Sequence, residues 1–407
     1  MMVIDGGITS PKGFKAAGVK AGIKKDKLDM ALIFSELPAM AAMAYTQNRA
    51  RAAPVEVMMQ DDSKVMRAFI INSGNANALT GQQGYQDARS MQRLVAEQLK
   101  MDPKEVGVAS TGIIGRFLPM DLIAKGISQA IKELDRSVEA NIDTAKAIMT
   151  TDTKMKSFAC QVNLRDGTLV TVAGIAKGSG MISPAMRTLH ATTLSFVTTD
   201  ARLERDPNTR WQQIMDSSFN VINVDGDQST NDISAFMANG AAGGKAADDD
   251  PGFWDAVMWV AKSLAKAVAI DGEGATKLIE VLVTGAKDDH EARVAARSVV
   301  ASNLVKAAVF GADPNFGRIL AALGNSGSDF DISKVRLHLS NGKRVALFEN
   351  GSPLIVPGSN EENVARNILR EKRILIELDL GVGMGRGEAW GCDLSYEYVK
   401  INASYTT

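Results

Sequence analysis

Apolar side chains recur at helical spacing over Tyr85–Leu99 and Met120–Leu134, each stretch following a turn-rich segment, and this pattern predicts two amphipathic helices. Short, nearly continuous apolar runs at Val65–Asn72 and Val106–Ser110 read as buried strands that run into small polar residues. Leu169–Ile175 and Thr193–Thr198 are β-branched and apolar enough for core strands, and the glycine-rich Lys177–Gly180 lies between them. Further along, Phe253, Val257, Val260, Leu264 and Val268 predict a helix over Phe253–Ile270 that breaks at Asp271-Gly272. A strand, Leu278–Thr284, comes next, then a helix from Glu291 to about Val309, and then a hairpin over Val335–Phe348 turned at Asn341-Gly342. The change of pattern after Gly285 places a boundary between units 1–285 and 286–407. Such mixing of strands and helices agrees with an α/β protein without selecting its architecture.

With 407 residues, 45% of them hydrophobic and 23% charged, the chain can bury one large core or two ordinary ones. Its 46 Lys and Arg nearly cancel 47 Asp and Glu, and no basic cluster is interleaved with aromatics, so no nucleic-acid partner is expected. A small-molecule substrate fits better. Cys160 and Cys392 stand far apart and suggest no disulfide framework. His190, His290 and His338 are dispersed without ligand spacing, so no metal and no cofactor is expected. Met1–Lys12 lacks the basic flank and apolar stretch of a signal peptide, and no run approaches the roughly 18 apolar residues of a membrane span. A cytoplasmic protein is the expectation.

Chemistry concentrates between Gly174 and Ala201, where a glycine turn, Lys177-Gly178-Ser179-Gly180, leads through Pro184 into a β-branched segment. On pattern alone this is a loop entering a core strand, and function stays open. Here the chain resembles the ornithine acetyltransferases, or glutamate N-acetyltransferases, which cut themselves before a threonine in this region. The likeness also includes Ile71–Asn77, Ala109–Gly115, Ala147–Thr153, Asp271–Lys277, Asp313–Arg318, Gly391–Asp393 and Asn402–Thr407, and so covers essentially the whole chain.

That resemblance implies a layered α/β sandwich like that of N-terminal-nucleophile hydrolases, with a smaller α/β C-terminal domain. It implies acetyl transfer from N-acetylornithine to glutamate in arginine biosynthesis, by a ping-pong route through an acetyl-threonine. A threonine hydroxyl is a poor nucleophile at neutral pH, but cleavage of the preceding bond frees an α-amine of pKa about 7.7–8 to act as its base. Thr111 and Gly112 are implied as the oxyanion donors. Thr150, Lys177, the nucleophile, Glu273, Asn402 and Thr407 are implied as substrate contacts. Lys177 suits a carboxylate and Glu273 an ammonium, whereas a solvated surface charge is the usual fate of both residue types. Two α and two β chains, each pair from one precursor, are expected to form a heterotetramer.

The position of the nucleophile needs counting. Members of the family place it eleven residues after the lysine, which here is Thr188, following Arg187. Counted backward from Thr199-Asp200-Ala201 it is Thr192, preceded by Ala191 and four residues further on. We read Thr192 as the nucleophile and Ala191–Thr192 as the cut, because a core strand cannot slip register without exposing its buried face, whereas a loop absorbs an insertion cheaply. Thr188 stays open as the alternative. Rival functions are an enzyme that also takes acetyl from acetyl-coenzyme A, an N-terminal-nucleophile aminopeptidase or amidase, and a metabolite-binding protein that is never processed.

Overall fold

In the computed structural model, residues 1–183 and 193–404 are described. The strands run in chain order as β1 (Met2–Ile4), β2 (Phe14–Val19), β3 (Met30–Tyr45), β4 (Val65–Asn75), β5 (Val106–Ile113), β6 (Lys156–Asn163), β7 (Leu169–Lys177) and β8 (Leu194–Thr199). There follow β9 (Ile222–Asn223), β10 (Ile233–Ala238), β11 (Leu278–Ala286), β12 (Arg336–Ser340), β13 (Arg344–Glu349), β14 (Ser352–Pro353), β15 (Arg373–Asp379) and β16 (Gly385–Cys392). Among the described residues they form a nine-stranded sheet, ordered β1-β6-β7-β8-β10-β3-β4-β5 with β2 on β3, and a seven-stranded sheet, ordered β14-β13-β12-β15-β11-β16-β9.

The near-continuous apolar runs of β4, β7 and β8 are buried along almost their whole length, as strands covered on both faces must be. Helix Pro251–Ile270 packs on β6 and β7 of the first sheet and on β16 of the second, joining the two sheets in one core. Its start is capped by Asp250, whose side chain accepts the Phe253 N–H, with Pro251 at the first helical position. Helices thus alternate with sheets, the layered α/β arrangement the sequence led us to expect. Residue 285, the expected boundary, lies next to the end of β11.

One element differs. The helix expected from Glu291 to about Val309 is two helices, Asp289–Ala301 and Asn303–Phe310. Ser302 parts them: its backbone is extended, and its side chain accepts the Val305 N–H as a new cap.

Candidate active site

At the C-terminal end of β5 the chain turns through Thr111 and Gly112, which pair in register with Ser73 and Gly74 of the parallel β4. Gly112 has φ of 131°, and a Cβ there would lie 2.4 Å from the Gly74 carbonyl carbon, so only glycine fits this close approach of two backbones. Buried asparagines hold the turn. Asn72 Nδ2 donates to the Asn75 carbonyl at 2.8 Å and Ser110 Oγ to Asn72 Oδ1 at 2.6 Å. From the other side Asn231 Nδ2 donates to the carbonyls of Ala76 and Ser110 at 2.5 and 2.8 Å.

Lys177 closes β7 and reaches across to Thr111, its Nζ 3.3 Å from the hydroxyl. Burial pulls its ammonium below the usual lysine range, while the charges of Asp152, Asp232 and Glu273 act the other way. Glu273 stands against the same glycine-rich turn: its N–H donates to the Ser179 carbonyl at 2.9 Å, and a Cβ on Gly180 would meet its carboxyl carbon at 2.4 Å. Asn402 arrives from helix Tyr396–Ser404 and donates to Glu273 Oε2 at 2.9 Å. That last helix is anchored by Ser395, which donates to the Gly274 carbonyl at 2.5 Å, and by Asp393, which accepts the N–H groups of Thr276 and Lys277 at 2.8 and 2.9 Å.

Thr111, Gly112, Thr150, Lys177, Glu273 and Asn402 all line one cleft that is partly open to solvent. Ala191, Thr192, Thr188 and Thr407 lie outside the described residues. The nearest described residues in sequence on the two sides of the proposed cut are Ser183 and Thr193. Thr193 is buried and has φ of 102°, a conformation costly for a β-branched residue.

Sequence reasoning passed over the segment 225–231, which supplies Asp225, Asp227, Ser229, Thr230 and Asn231 to the cleft wall. Its signal was a polar run about Gly226 set between apolar stretches, without a recognisable spacing. Asp225 accepts the N–H groups of Met181 and Ile182 at 2.6 and 2.9 Å, and burial raises its carboxyl above the usual range against the pull of those donors. Tyr398 also lines the cleft, its phenol raised by burial. Both cysteines are buried, and burial pushes each thiol up to about 11, too high to serve as a nucleophile at neutral pH.

Among the described residues the cleft is lined by one cation, Lys177, and three carboxylates, Asp225, Asp227 and Glu273. Such a lining suits a ligand carrying ammonium groups together with a carboxylate.

A profile of the ArgJ family matches residues 15–407. Over 414 residues, spanning the full length of both chains, the protein is 48% identical to the arginine biosynthesis bifunctional protein ArgJ of Caldanaerobacter subterraneus subsp. tengcongensis. It is 47% identical over 413 residues, again along both full lengths, to the glutamate N-acetyltransferase of Methanocaldococcus jannaschii. A solved structure of ornithine acetyltransferase complexed with ornithine, from Mycobacterium tuberculosis, is 39% identical, covering 45% of this chain and 98% of its own with a TM-score of 0.42. With the profile spanning all but the first residues, and nearly half the positions identical to full-length relatives, this chain belongs to the ArgJ family.

Proposed function

We propose that the protein transfers acetyl from N2-acetyl-L-ornithine to L-glutamate in arginine biosynthesis, through an acetyl-threonine on Thr192 formed after the chain cuts itself between Ala191 and Thr192. The observation that carries this reading is the meeting of Thr111, Gly112, Thr150, Lys177, Glu273 and Asn402, from five separated stretches of sequence, in one cleft. Thr193, the second residue after the proposed cut, holds a positive φ of 102°, and backbone strain of this kind clusters at functional sites, which supports a processing site here.

In the first half-reaction the Thr192 oxygen attacks the acetyl carbonyl carbon, and the new α-amine takes the hydroxyl proton. Thr111 and Gly112 stabilise the oxyanion, a contribution of about 3–4 kcal/mol per donor. The C–N bond then breaks, and the proton goes from the α-amine to the departing ornithine amine. In the second half-reaction the glutamate amine attacks the ester carbonyl, Thr192 leaves with a proton, and N-acetylglutamate departs. Lys177 receives a substrate carboxylate and Glu273 an ammonium, with Thr150, Asn402 and Thr407 completing the contacts. Active protein assembles as two α and two β chains in the cytoplasm.

Intact-mass measurement with N-terminal sequencing, combined with an assay of N-acetylornithine with and without glutamate, tests the reading. The expected results are two chains, a β chain starting Thr-Thr-Leu-Ser-Phe, and ornithine release that depends on glutamate after one turnover. A β chain starting Thr-Leu-His-Ala would move the nucleophile to Thr188. Steady hydrolysis without glutamate would make the enzyme an amidase, and acetylglutamate formed from acetyl-coenzyme A alone would add the second donor. Thr192→Ala is expected to leave a folded, full-length, inactive chain; normal processing in that variant would overturn the mechanism.

A further inference from the structure

Behind the cleft lies a group of charges that none of the assigned roles uses. The side chains of Asp152, Lys156 and Asp271 are 0%, 1% and 3% exposed, and Lys156 Nζ is 2.6 Å from both Asp152 Oδ1 and Asp271 Oδ2. None of the three lines the cleft.

Each carboxylate is instead bonded to backbone that bears cleft residues. Asp152 accepts the Thr150 N–H at 3.0 Å and the Gly178 N–H, next to Lys177, at 2.7 Å. Asp271 accepts the N–H groups of Thr153 and Lys154 at 3.0 and 3.3 Å, and the Thr153 hydroxyl as well. Its own carbonyl accepts the Ser179 hydroxyl at 2.7 Å, and the Ser179 carbonyl accepts the Glu273 N–H at 2.9 Å. One lysine therefore ties together the segments that present Thr150, Lys177 and Glu273.

Burying three ions is costly, and an apolar trio of the same volume would hold a fold at least as well. What the ions add is direction: fixed acceptors for particular N–H groups. We propose that Asp152, Lys156 and Asp271 are positioning residues, holding Thr150, Lys177 and Glu273 in mutual register. The proposal rests on the reading of Lys177 and Glu273 as substrate contacts.

The charges around Lys177 give this a sign. Asp152 acts on it from the turn before β6, Lys156 from the first residue of β6, Lys24 from the β2–β3 loop, Asp232 from just before β10 and Glu273 from the approach to β11. Burial lowers the lysine, Asp152 opposes that most strongly, and Lys156 adds to it. Asp152 itself is held down to about 2, because the charges of Lys177 and Lys156, with hydrogen bonds from Lys156 and the Gly178 N–H, outweigh the upward push of burial.

Asp152→Asn, Lys156→Gln and Lys156→Arg are to be assayed for kcat/KM with N-acetylornithine across pH, beside the wild-type enzyme. In Asp152→Asn the alkaline limb is expected to move to lower pH, and in Lys156→Gln to higher pH, with kcat/KM lowered on the order of 100-fold by lost alignment. Lys156→Arg keeps the charge and is expected to leave the limb in place. If the neutral variants do not fold, the double variant Asp152→Asn/Lys156→Gln decides, with a smaller shift to lower pH. Limbs that stay put, or that move the same way in both single variants, would overturn the proposal, as would failure of every variant to fold, which would assign the triad to stability alone. Absence of acetyl transfer by the wild-type enzyme would instead remove the reading on which the proposal rests.

Discussion

Gly112 and Glu273 show how much one residue decides here. Any side chain at position 112 would collide with the Gly74 and Asn75 backbone and would also force a β-carbon into a conformation costing about 1–3 kcal/mol. Gly112→Ala is accordingly expected to lower kcat by about 10²- to 10³-fold, the loss typical of an oxyanion donor moved out of place, and to lower the thermal midpoint. A variant with wild-type kcat would show that this turn does not serve the reaction. Glu273→Gln keeps the shape and the bond from Asn402 but removes a negative charge from the cleft. It is expected to raise KM for N-acetylornithine while the chain still splits in two on a denaturing gel; unchanged kinetics would take Glu273 out of the substrate site.

Among the elements, those with strong periodicity or strong caps were legible. The helices at Gly81–Leu99, Met120–Lys132 and Pro251–Ile270 and the hairpin of β12 and β13 stand close to where the pattern puts them. By contrast, the pattern does not assign β3, although it is long and pairs with β2, β4 and β10. Much of it is Ala and Met, residues that favour helices in isolation, and only neighbours on both sides make a strand of it. The loop between β2 and β3 offers a test of another kind. Asp29 accepts the N–H groups of Ala21, Gly22 and Lys24 at 2.6, 3.0 and 2.8 Å, and the Lys24 ammonium donates to the Met149 carbonyl at 2.9 Å, next to Thr150. Burial is the largest influence lowering Lys24, to about 8, so between there and 10.5 the unfolded chain binds the proton that the folded chain has lost. The contribution of Lys24 to stability must therefore rise with pH across that window. Urea unfolding is expected to show that rise as a difference between the wild-type protein and Lys24→Met, and identical pH profiles would refute it.

At the scale of the molecule, the sheet order bears on what self-cleavage would leave behind. β8 and β10, from the second half, are inserted between β7 and β3 of the first, pairing along Val172–Lys177 on one side and Met40–Tyr45 on the other. Chains 1–191 and 192–407 would share one ladder of backbone hydrogen bonds and one core, so they are expected to elute as a single species and to part only when the whole protein unfolds. Recovery of either chain alone from native buffer would contradict this. The sequence by itself determined most of the strongly periodic elements and, through resemblance, the layered α/β fold and the cleft residues Thr111, Gly112, Thr150, Lys177, Glu273 and Asn402. The elements are matters of local periodicity, whereas the fold and the cleft residues came from likeness to a family, because the local pattern alone leaves function open. Only the tertiary structure decided that Asp225 and Asp227 join the cleft, that Lys156 bridges Asp152 and Asp271 behind it, and that β3 is a strand. Each depends on partners from distant stretches of the chain, whose approach no local pattern encodes and which only packing into a common core brings about.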